Sequence, residues 1–196
     1  MPAPLSAELR AIPSRQSHRW LPAYARHLHM SKVRIPGLDL NMSSFTMNVA
    51  LLGTGLYAQS DYIPAFLSKE TQSVRVHTIW SLDESAAKSC AAELSKDGLE
   101  PRVLAQKDDI QVILQDTTID AIVMVLPFMY QPDIIRRAWK AGKHVLSEKP
   151  IERDTTAAMA LVREYEEDWA AKGLVWRVAE GAYMSLPDAS LTPEIH

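Results

Sequence analysis

From residue 47 onward, the sequence predicts an α/β fold built as a doubly wound, mostly parallel sheet with helices on both faces. Three observations predict it. Short apolar or β-branched runs alternate with helical patterns, a glycine-containing turn follows the first run, and glycines follow three of the helical patterns. Parallel strands need helical crossovers, so this alternation is typical of successive βαβ units.

The predicted elements follow one another along the chain as six strands and five helices. The strands are expected at residues 48–52, 74–80, 102–104, 120–126, 144–147 and 174–179. The helices are expected near residues 58–69, 83–96, 107–115, 132–141 and 154–172. Six strands are the number that fills a doubly wound sheet of this kind.

Local signals support the boundaries of two helices. Asp154 stands where a side chain can cap the start of the last helix, and Ser81 with Glu84 has the spacing of a capping box for the second. The last helix also has one apolar face, formed by Ala158, Val162, Tyr165 and Trp169. We expect these aromatic residues to belong to the hydrophobic core, because a stripe at helical spacing normally faces the sheet.

Composition limits the classes of function. The chain has 196 residues, of which 47% are hydrophobic and 23% charged, as in globular proteins. The longest apolar stretch, residues 121–129, contains a proline and is too short to cross a membrane, so we expect no membrane contact. A net charge of −3 gives no case for nucleic acid, and the lone Cys90 excludes a disulfide framework. No metal site is predicted.

Residues 1–46 differ from the rest because basic residues outnumber acidic ones and no helical or strand period is visible. We interpret them as a loosely ordered extension. Two origins are open: a mitochondrial transit peptide, or a solvated stretch ahead of a start at Met42 or Met47. The second is favoured, so a cytoplasmic location is expected. His27 and His29 are expected to be solvated, since no third metal ligand accompanies them.

The turn after the first strand predicts a dinucleotide-binding Rossmann domain over residues 47–184. Gly53 permits a tight turn, Gly55 leaves room for a pyrophosphate beside the backbone, and the small Ala58 lets the following helix approach the sheet. The N-terminus of that helix offers free N–H groups and the positive end of its dipole. The predicted cofactor contacts here are Gly53, Thr54, Gly55, Leu56, Tyr57 and Ala58.

The end of the second strand bears on the choice between NAD and NADP. NAD enzymes usually place a carboxylate there for the ribose hydroxyls, but this chain has Ser81 and Leu82. Ser81 tolerates a 2′-phosphate and is a predicted cofactor contact, although it would serve equally well as a helix cap only. Leu82 provides no guanidinium, and Asp83 or Glu84 could still reach the ribose. The pattern slightly favours NADP.

Later motifs match a known arrangement. A proline, Pro127, follows the fourth strand, residues 141–150 read AGKHVLSEKP, and Val178-Ala179-Glu180 follows the last helix. With the glycine turn, these motifs resemble the Gfo/Idh/MocA family of NAD(P)-dependent oxidoreductases, which includes the dimeric dihydrodiol dehydrogenases. The resemblance covers residues 47–184. It implies hydride transfer between a nicotinamide cofactor and a sugar, polyol or dihydrodiol.

The resemblance also implies roles for individual residues. In the family, a Glu-Lys-Pro motif follows the fifth strand, and its lysine lies beside the nicotinamide and the reacting carbon. This implies that Lys149 is catalytic and that Glu148 orients it, with both in the cofactor site. Further contacts are expected from Leu126, Pro127 and Gln131 at the fourth strand. Carboxyl ends of parallel strands form the ligand crevice, where an ammonium can stabilise an alkoxide-like oxygen.

The chain departs from the family's motifs at two places. Many members have an asparagine or threonine and then a histidine in the loop after the fourth strand, where this chain has Phe128, Met129 and Gln131. Gln131 would supply a neutral hydrogen bond or only pack the loop. Gly181 replaces a common asparagine after Val-Ala-Glu, which predicts the loss of one contact.

Residues 185–196 have no apolar period and are predicted to form an irregular tail. The α/β domain that carries the substrate pocket and often the subunit contact in the family is not expected within this sequence. A small-molecule substrate therefore requires a second domain, and a homo-oligomer is possible. The alternatives to an active oxidoreductase are a non-catalytic NAD(P)-binding module and a truncated, inactive remnant.

Overall fold

The computed structural model describes residues 46–179. The predicted extension, apart from Thr46, and the predicted tail at 185–196 lie outside the described residues. Glu180 and Gly181 also lie outside them.

Six strands form one parallel sheet in the order β3-β2-β1-β4-β5-β6. They are β1 (Met47–Leu52), β2 (Val74–Trp80), β3 (Arg102–Leu104), β4 (Ala121–Met124), β5 (His144–Glu148) and β6 (Trp176–Ala179). This order confirms the predicted doubly wound sheet. Its direction of growth reverses between β1 and β4, where a crevice opens at the carboxyl ends of the strands.

The helices lie between the strands as predicted. They are α1 (Ile63–Phe66), α2 (Glu84–Ser95), α3 (Asp109–Gln115), α4 (Gln131–Lys140) and α5 (Thr155–Glu164). A π-helical turn, Ala58–Tyr62, leads into α1, and a second, Tyr165–Trp169, extends α5. The first and last predicted helices are therefore not uniformly α-helical, which the hydrophobic period alone does not reveal.

The two faces of the sheet bury separate cores, because successive side chains of a strand point to opposite faces. In β1, Val49 and Leu51 face α1 and α2, whereas Ala50 and Leu52 face α3, α4 and α5. All four side chains are buried. Both faces are thus covered by helices, as the uninterrupted apolar character of the central strands requires.

An aromatic cluster holds α5 and its extension to the sheet. The Trp139 ring lies with its centroid 5.6 Å from Tyr165, 6.3 Å from Trp169 and 5.3 Å from Trp176. The Tyr165 hydroxyl donates to the Leu174 carbonyl and accepts from the Trp176 N–H. The prediction that Tyr165 and Trp169 belong to the core is confirmed.

Of the two predicted helix caps, one is confirmed and one is wrong. Asp154 accepts a hydrogen bond from the Ala157 N–H at 2.9 Å. The capping box of Ser81 and Glu84 does not form, because Asp83 occupies the capping position and accepts from the Ala86 N–H at 3.0 Å. Asp83 is extended, and its short carboxylate reaches the free N–H groups of the first turn.

Within residues 46–179, no helix is long and apolar enough to cross a membrane. The same part of the chain holds no group of three or more His, Cys, Asp or Glu side chains arranged for a metal ion.

Candidate functional site

The carboxyl ends of β1, β4 and β5 bring the predicted site residues to one edge of the sheet. β1 pairs with β4, and β4 pairs with β5, so their ends are neighbours. The glycine turn follows β1, the segment from Leu126 to Gln131 follows β4, and Glu148 ends β5 immediately before Lys149. Ser81 follows β2 on the far side of β1.

Gly53 is required by the fold itself. Its φ of +98° lies in the left-handed region, and its N–H donates to the Trp80 carbonyl at 2.8 Å. A Cβ at this position would lie 2.2 Å from the Val125 carbonyl oxygen. The turn therefore packs directly against the backbone that leaves β4, and only a glycine permits that approach.

Gly55 is in the opposite situation. A Cβ added here would have no atom of the described residues within 4 Å, and its φ is not positive. The chain is helical from residue 56, and Gln59 N–H donates to the Gly55 carbonyl at 3.1 Å. The open space at Gly55 thus lies at the start of a helix, where the first N–H groups and the helix dipole favour an anion.

The remaining residues of the turn divide by exposure. Leu56 and Tyr57 are exposed, whereas Ala58 is fully buried. A small buried residue at this point is consistent with the predicted close approach of helix and sheet. Thr54 is also buried, and its Oγ1 has no hydrogen-bond partner among the residues that the structure describes.

Gln131 is the buried polar residue of the segment after β4. Its Nε2 donates to the Leu126 carbonyl at 3.1 Å, while its Oε1 has no partner within residues 46–179. Gln131 thus packs the loop and hydrogen-bonds to it, and a hydrogen bond from this side chain to a ligand stays a prediction. Pro127 is exposed at the crevice and Leu126 is half-buried.

Glu148, the last residue of β5, is buried, whereas Lys149 directly after it is exposed. Glu148 is buried, and its Oε1 accepts a hydrogen bond from the Tyr62 hydroxyl at 2.5 Å. Its Oε2 accepts from the Lys149 N–H at 3.2 Å. Lys149 is exposed and is joined to Pro150 by a cis peptide bond. The carboxylate is thus turned into the protein, and the ammonium is free to meet a ligand.

The environment of Glu148 acts on its ionisation in two directions. Burial raises the pKa of the Glu148 carboxyl, while the Tyr62 hydroxyl, the Lys149 N–H and the Lys149 charge work to lower the pKa. Burial, together with the nearby Glu148 charge, raises the pKa of Tyr62 far above its usual range. Tyr62 therefore remains a neutral hydrogen-bond donor at physiological pH.

The sequence did not single out Tyr62. It belongs to the π-helical turn Ala58–Tyr62 and lies 86 residues from Glu148 in the chain. The only signal is a hydroxyl-bearing aromatic residue on the core-facing side of the first helix, and such a residue usually indicates packing.

At the end of β2, the two acidic residues that the sequence left open are engaged elsewhere. Asp83 caps α2, and Glu84 forms an ion pair with Lys88 at 2.7 Å. The Ser81 Oγ accepts from the Asp83 N–H at 3.2 Å, and Leu82 is exposed. Asp83 is thus held at the start of α2, whereas Glu84 stays exposed in a surface ion pair.

These features fit a nicotinamide dinucleotide. Gly55 leaves open space at a helix start, and Thr54 Oγ1 and Gln131 Oε1 are buried polar atoms that lack a partner in the described part of the chain. Two further buried polar atoms without a partner in the described residues, the indole nitrogens of Trp139 and Trp169, lie in the aromatic cluster. Buried polar groups are normally hydrogen-bonded, so the pair at the carboxyl edge fits a polar ligand that would complete the structure there.

Comparison with known proteins points to one family. A family model described as "Oxidoreductase family, NAD-binding Rossmann fold", of the Gfo/Idh/MocA group, matches residues 47–171. A dehydrogenase of Fusarium mangiferae is 35% identical over 140 residues, which are 68% of this chain and 38% of that protein. D-xylose 1-dehydrogenase (NADP(+)) 2 of Haloferax volcanii is 32% identical over 124 residues, which are 62% of this chain and 34% of that protein.

Solved structures agree with this result. A 3-ketoreductase of Actinomadura kijaniata, in complex with NADP, superposes with a TM-score of 0.54 at 27% identity, covering 68% of this chain and 38% of that one. A scyllo-inositol dehydrogenase of Lactobacillus casei, with NAD(H) and scyllo-inositol, gives a TM-score of 0.54 at 23% identity, covering 68% and 36%. The chain thus spans little more than a third of the length of these relatives.

Proposed function

The chain belongs to the Gfo/Idh/MocA oxidoreductase family and carries its NAD-binding Rossmann domain, and we propose that it is the cofactor-binding domain of an NAD(P)-dependent oxidoreductase. The reaction is hydride transfer between the cofactor and a carbon of a sugar, polyol or dihydrodiol. One observation carries this proposal: the glycine turn and Lys149 meet at the same edge of the sheet. The dinucleotide domain is assigned to residues 47–184, between an extension at 1–46 and a tail at 185–196.

The proposed cofactor site runs along the carboxyl edge of the sheet. Gly53 shapes the turn, and Gly55 admits the pyrophosphate to the N–H groups at the start of the helix. Thr54 Oγ1 and Gln131 Oε1 supply buried polar atoms that have capacity for a further hydrogen bond. The other proposed contacts are Leu56, Tyr57, Ala58, Ser81, Leu126, Pro127, Glu148 and Lys149.

The proposed chemistry divides between cofactor and protein. When bound, the nicotinamide ring accepts or returns the hydride. In the oxidation direction the substrate hydroxyl releases its proton to solvent and the hydride leaves its carbon, while Lys149 Nζ donates a hydrogen bond to the oxygen and stabilises its alkoxide-like charge. In the reverse direction the same charge develops on the carbonyl oxygen as its carbon receives hydride, and a proton from solvent completes the hydroxyl. Glu148 holds the backbone at Lys149 through the 3.2 Å bond to its N–H. Lys149 is thus the proposed catalytic residue, and Glu148 orients it.

We favour NADP as the cofactor. The two residues directly after β2, Ser81 and Leu82, carry no carboxylate for the ribose hydroxyls, and Asp83 is held at the start of α2 as its cap. The Haloferax relative carries NADP(+) in its name, and the ketoreductase was solved with NADP. The Lactobacillus enzyme was solved with NAD(H), but at 23% identity it supports the fold alone.

The substrate is proposed to approach Lys149 from the open side of the crevice. The rest of the pocket would come from a second α/β domain, corresponding to the part of the relatives that this chain does not span. Exposed apolar residues near the crevice, among them Leu56 and Met129, would suit contact with such a domain. A homo-oligomer and a cytoplasmic location complete the proposal, and the lone buried Cys90 suits a reducing compartment.

The proposal is tested by titrating the purified chain with NADPH and NADH while following nicotinamide fluorescence. Polyol, sugar and dihydrodiol oxidation is then assayed at saturating cofactor in a protein that also carries the second α/β domain, because the proposed substrate pocket requires it. We expect NADPH to bind more tightly than NADH. Lys149→Ala should lower turnover by about 100-fold or more and weaken NADPH binding by about tenfold, because Lys149 is proposed to lie beside the nicotinamide. Lys140→Ala, an exposed lysine of α4, is the matched control and should change neither quantity.

Two results would count against the proposal in different ways. A folded chain that binds neither nucleotide would contradict the cofactor site itself. Cofactor binding without turnover of any substrate, in a protein that also carries the second domain, would favour the non-catalytic module instead.

A further inference from the structure

A buried hydrogen bond connects the two halves of the proposed cofactor site. Tyr62 and Glu148 are respectively 0% and 7% exposed, and the tyrosine hydroxyl donates to Glu148 Oε1. Tyr62 precedes α1, whereas Glu148 ends β5, and β4 separates β5 from β1 in the sheet. The bond therefore spans from the helix that follows the glycine turn to the strand that ends at Lys149.

Both oxygens of the Glu148 carboxylate are held. Oε1 accepts from Tyr62, and Oε2 accepts from the Lys149 N–H at 3.2 Å. A carboxylate fixed at both oxygens has a single orientation, and the backbone N–H bonded to it is fixed in turn. Tyr62 thus reaches the backbone of Lys149 through one intervening side chain.

The groups around this carboxylate make the tyrosine donor important. Asp61 is also buried, and the Tyr57 ring lies edge-on to Tyr62 at a centroid distance of 5.8 Å. The negative charge of Asp61 disfavours ionisation of Glu148, whereas the positive charge of Lys149 favours it. Tyr62 is the side chain that donates a hydrogen bond to the ionised form, so its hydroxyl helps to keep Glu148 charged.

We propose that Tyr62 is a positioning residue for Lys149: by holding the Glu148 carboxylate, it fixes the lysine relative to the helix that receives the cofactor phosphates. This inference rests on the proposed function, which places the nicotinamide beside Lys149. If Tyr62 only supported the helix and the sheet, its removal would change the affinity for the nicotinamide part and the phosphate part of the cofactor to the same extent.

The test uses two ligands that differ only at the nicotinamide. NADPH carries it, and 2′-phospho-ADP-ribose lacks it while retaining both phosphates of the bridge. For Tyr62→Phe, which removes only the hydroxyl, we expect NADPH affinity to fall by about tenfold. Affinity for 2′-phospho-ADP-ribose should stay within about twofold of the wild type.

A matched control separates positioning from general loss of stability. Tyr165→Phe removes a hydroxyl that makes two hydrogen bonds on the other face of the sheet. It should lower thermal stability but leave the affinity for both ligands unchanged. Equal weakening of both ligands by Tyr62→Phe, or unchanged NADPH binding, would overturn the positioning role.

A double mutant identifies Glu148 as the intermediary. Glu148→Gln keeps the size of the side chain but replaces one of the two accepting oxygens with a donating NH2 group, so it can no longer accept from both Tyr62 and the Lys149 N–H. Adding Tyr62→Phe to it should therefore weaken NADPH binding no further, whereas independent effects would multiply. If Tyr62→Phe does not fold, Glu148→Gln alone must show the same discrimination between the two ligands, and its failure to do so overturns the inference. A wild-type chain that binds 2′-phospho-ADP-ribose but gains nothing from the nicotinamide would reject the proposed function first.

Discussion

The two ends of the parallel sheet differ in how the polar groups near them are hydrogen-bonded. At the amino end, Lys143 Nζ donates to the carbonyls of Asp116 at 2.6 Å and Ile119 at 2.7 Å. Asp120 there accepts from the Asn48 N–H at 2.8 Å. At the carboxyl end, Thr54 Oγ1 and Gln131 Oε1 are buried without a partner in residues 46–179.

This difference suggests that the polar groups of one end contribute to the stability of the fold and that those of the other end are available to bind a ligand. A buried polar atom without a hydrogen bond costs about 1–3 kcal/mol, so a fold that leaves two such atoms at one end is less stable than it could be. A ligand that bonded to them would recover that free energy. The hydrogen bonds of Lys143 and Asp120 therefore help to hold the amino end together, and Thr54 and Gln131 retain polar atoms for a ligand at the carboxyl end. The indole nitrogens of Trp139 and Trp169, which also lack a partner in residues 46–179, lie in the aromatic cluster and not at the crevice.

The largest expected effect on stability comes from Gly53→Ala, an exception at the carboxyl end. The new Cβ would meet the Val125 carbonyl oxygen at 2.2 Å, and the backbone has a φ of +98°. We expect the free energy of unfolding to fall by at least about 3 kcal/mol, measured by urea denaturation. A fall of less than about 1 kcal/mol would mean that the turn is not packed against β4.

A smaller loss is expected at the amino end from Lys143→Met. The substitution keeps an unbranched apolar side chain but removes both hydrogen bonds to buried carbonyls, so unfolding should require about 2 kcal/mol less. Lys140→Met, at an exposed lysine, should stay within about 0.5 kcal/mol of the wild type. NADPH affinity should not change in either variant. A loss of NADPH binding in Lys143→Met would contradict the view that this lysine contributes to stability and not to ligand binding.

The smallest effect concerns His144, whose Nδ1 accepts from the Val175 N–H at 3.0 Å. Burial lowers the pKa of His144, against the opposing charge of Asp120. A base with a lowered folded-state pKa contributes stability above its unfolded pKa of about 6.5, and that stability is lost as the pH falls. Protonation also removes the acceptor.

We therefore expect a loss of about 1 kcal/mol between pH 7 and acidic pH through this bond. Chemical denaturation at several pH values measures it, with His144→Asn as the comparison. The wild type should lose more stability on acidification than the variant, and parallel pH profiles would show that His144 does not titrate with folding.

Much of the fold could be predicted from the sequence because it depends on local patterns. Strand and helix alternation, with the glycine turn, predicted the doubly wound sheet that the observed strand order confirms. The turn and the Glu-Lys-Pro motif also predicted which residues meet at the carboxyl edge. The predicted cap of α2 was the wrong residue. Ser81 and Asp83 are both good capping residues two positions apart, and only the backbone conformation decides between them.

The connection between Tyr62 and Glu148 could not be predicted. It depends on the π-helical turn that orients Tyr62 and on the placement of β5 two strands away from β1. The different demands on Gly53 and Gly55 likewise require the position of the Val125 carbonyl, which no spacing along the chain reveals.

Gly55→Val tests the central claim, that the carboxyl end of this sheet receives a nicotinamide dinucleotide, most directly. The structure has open space for the added side chain, so the thermal unfolding midpoint should shift by only a few degrees, about the effect of 1 kcal/mol or less. A dinucleotide would meet the valine where its pyrophosphate approaches the backbone, so NADPH affinity measured by fluorescence titration should fall by about 100-fold or more. Wild-type affinity in a folded Gly55→Val protein would contradict the account.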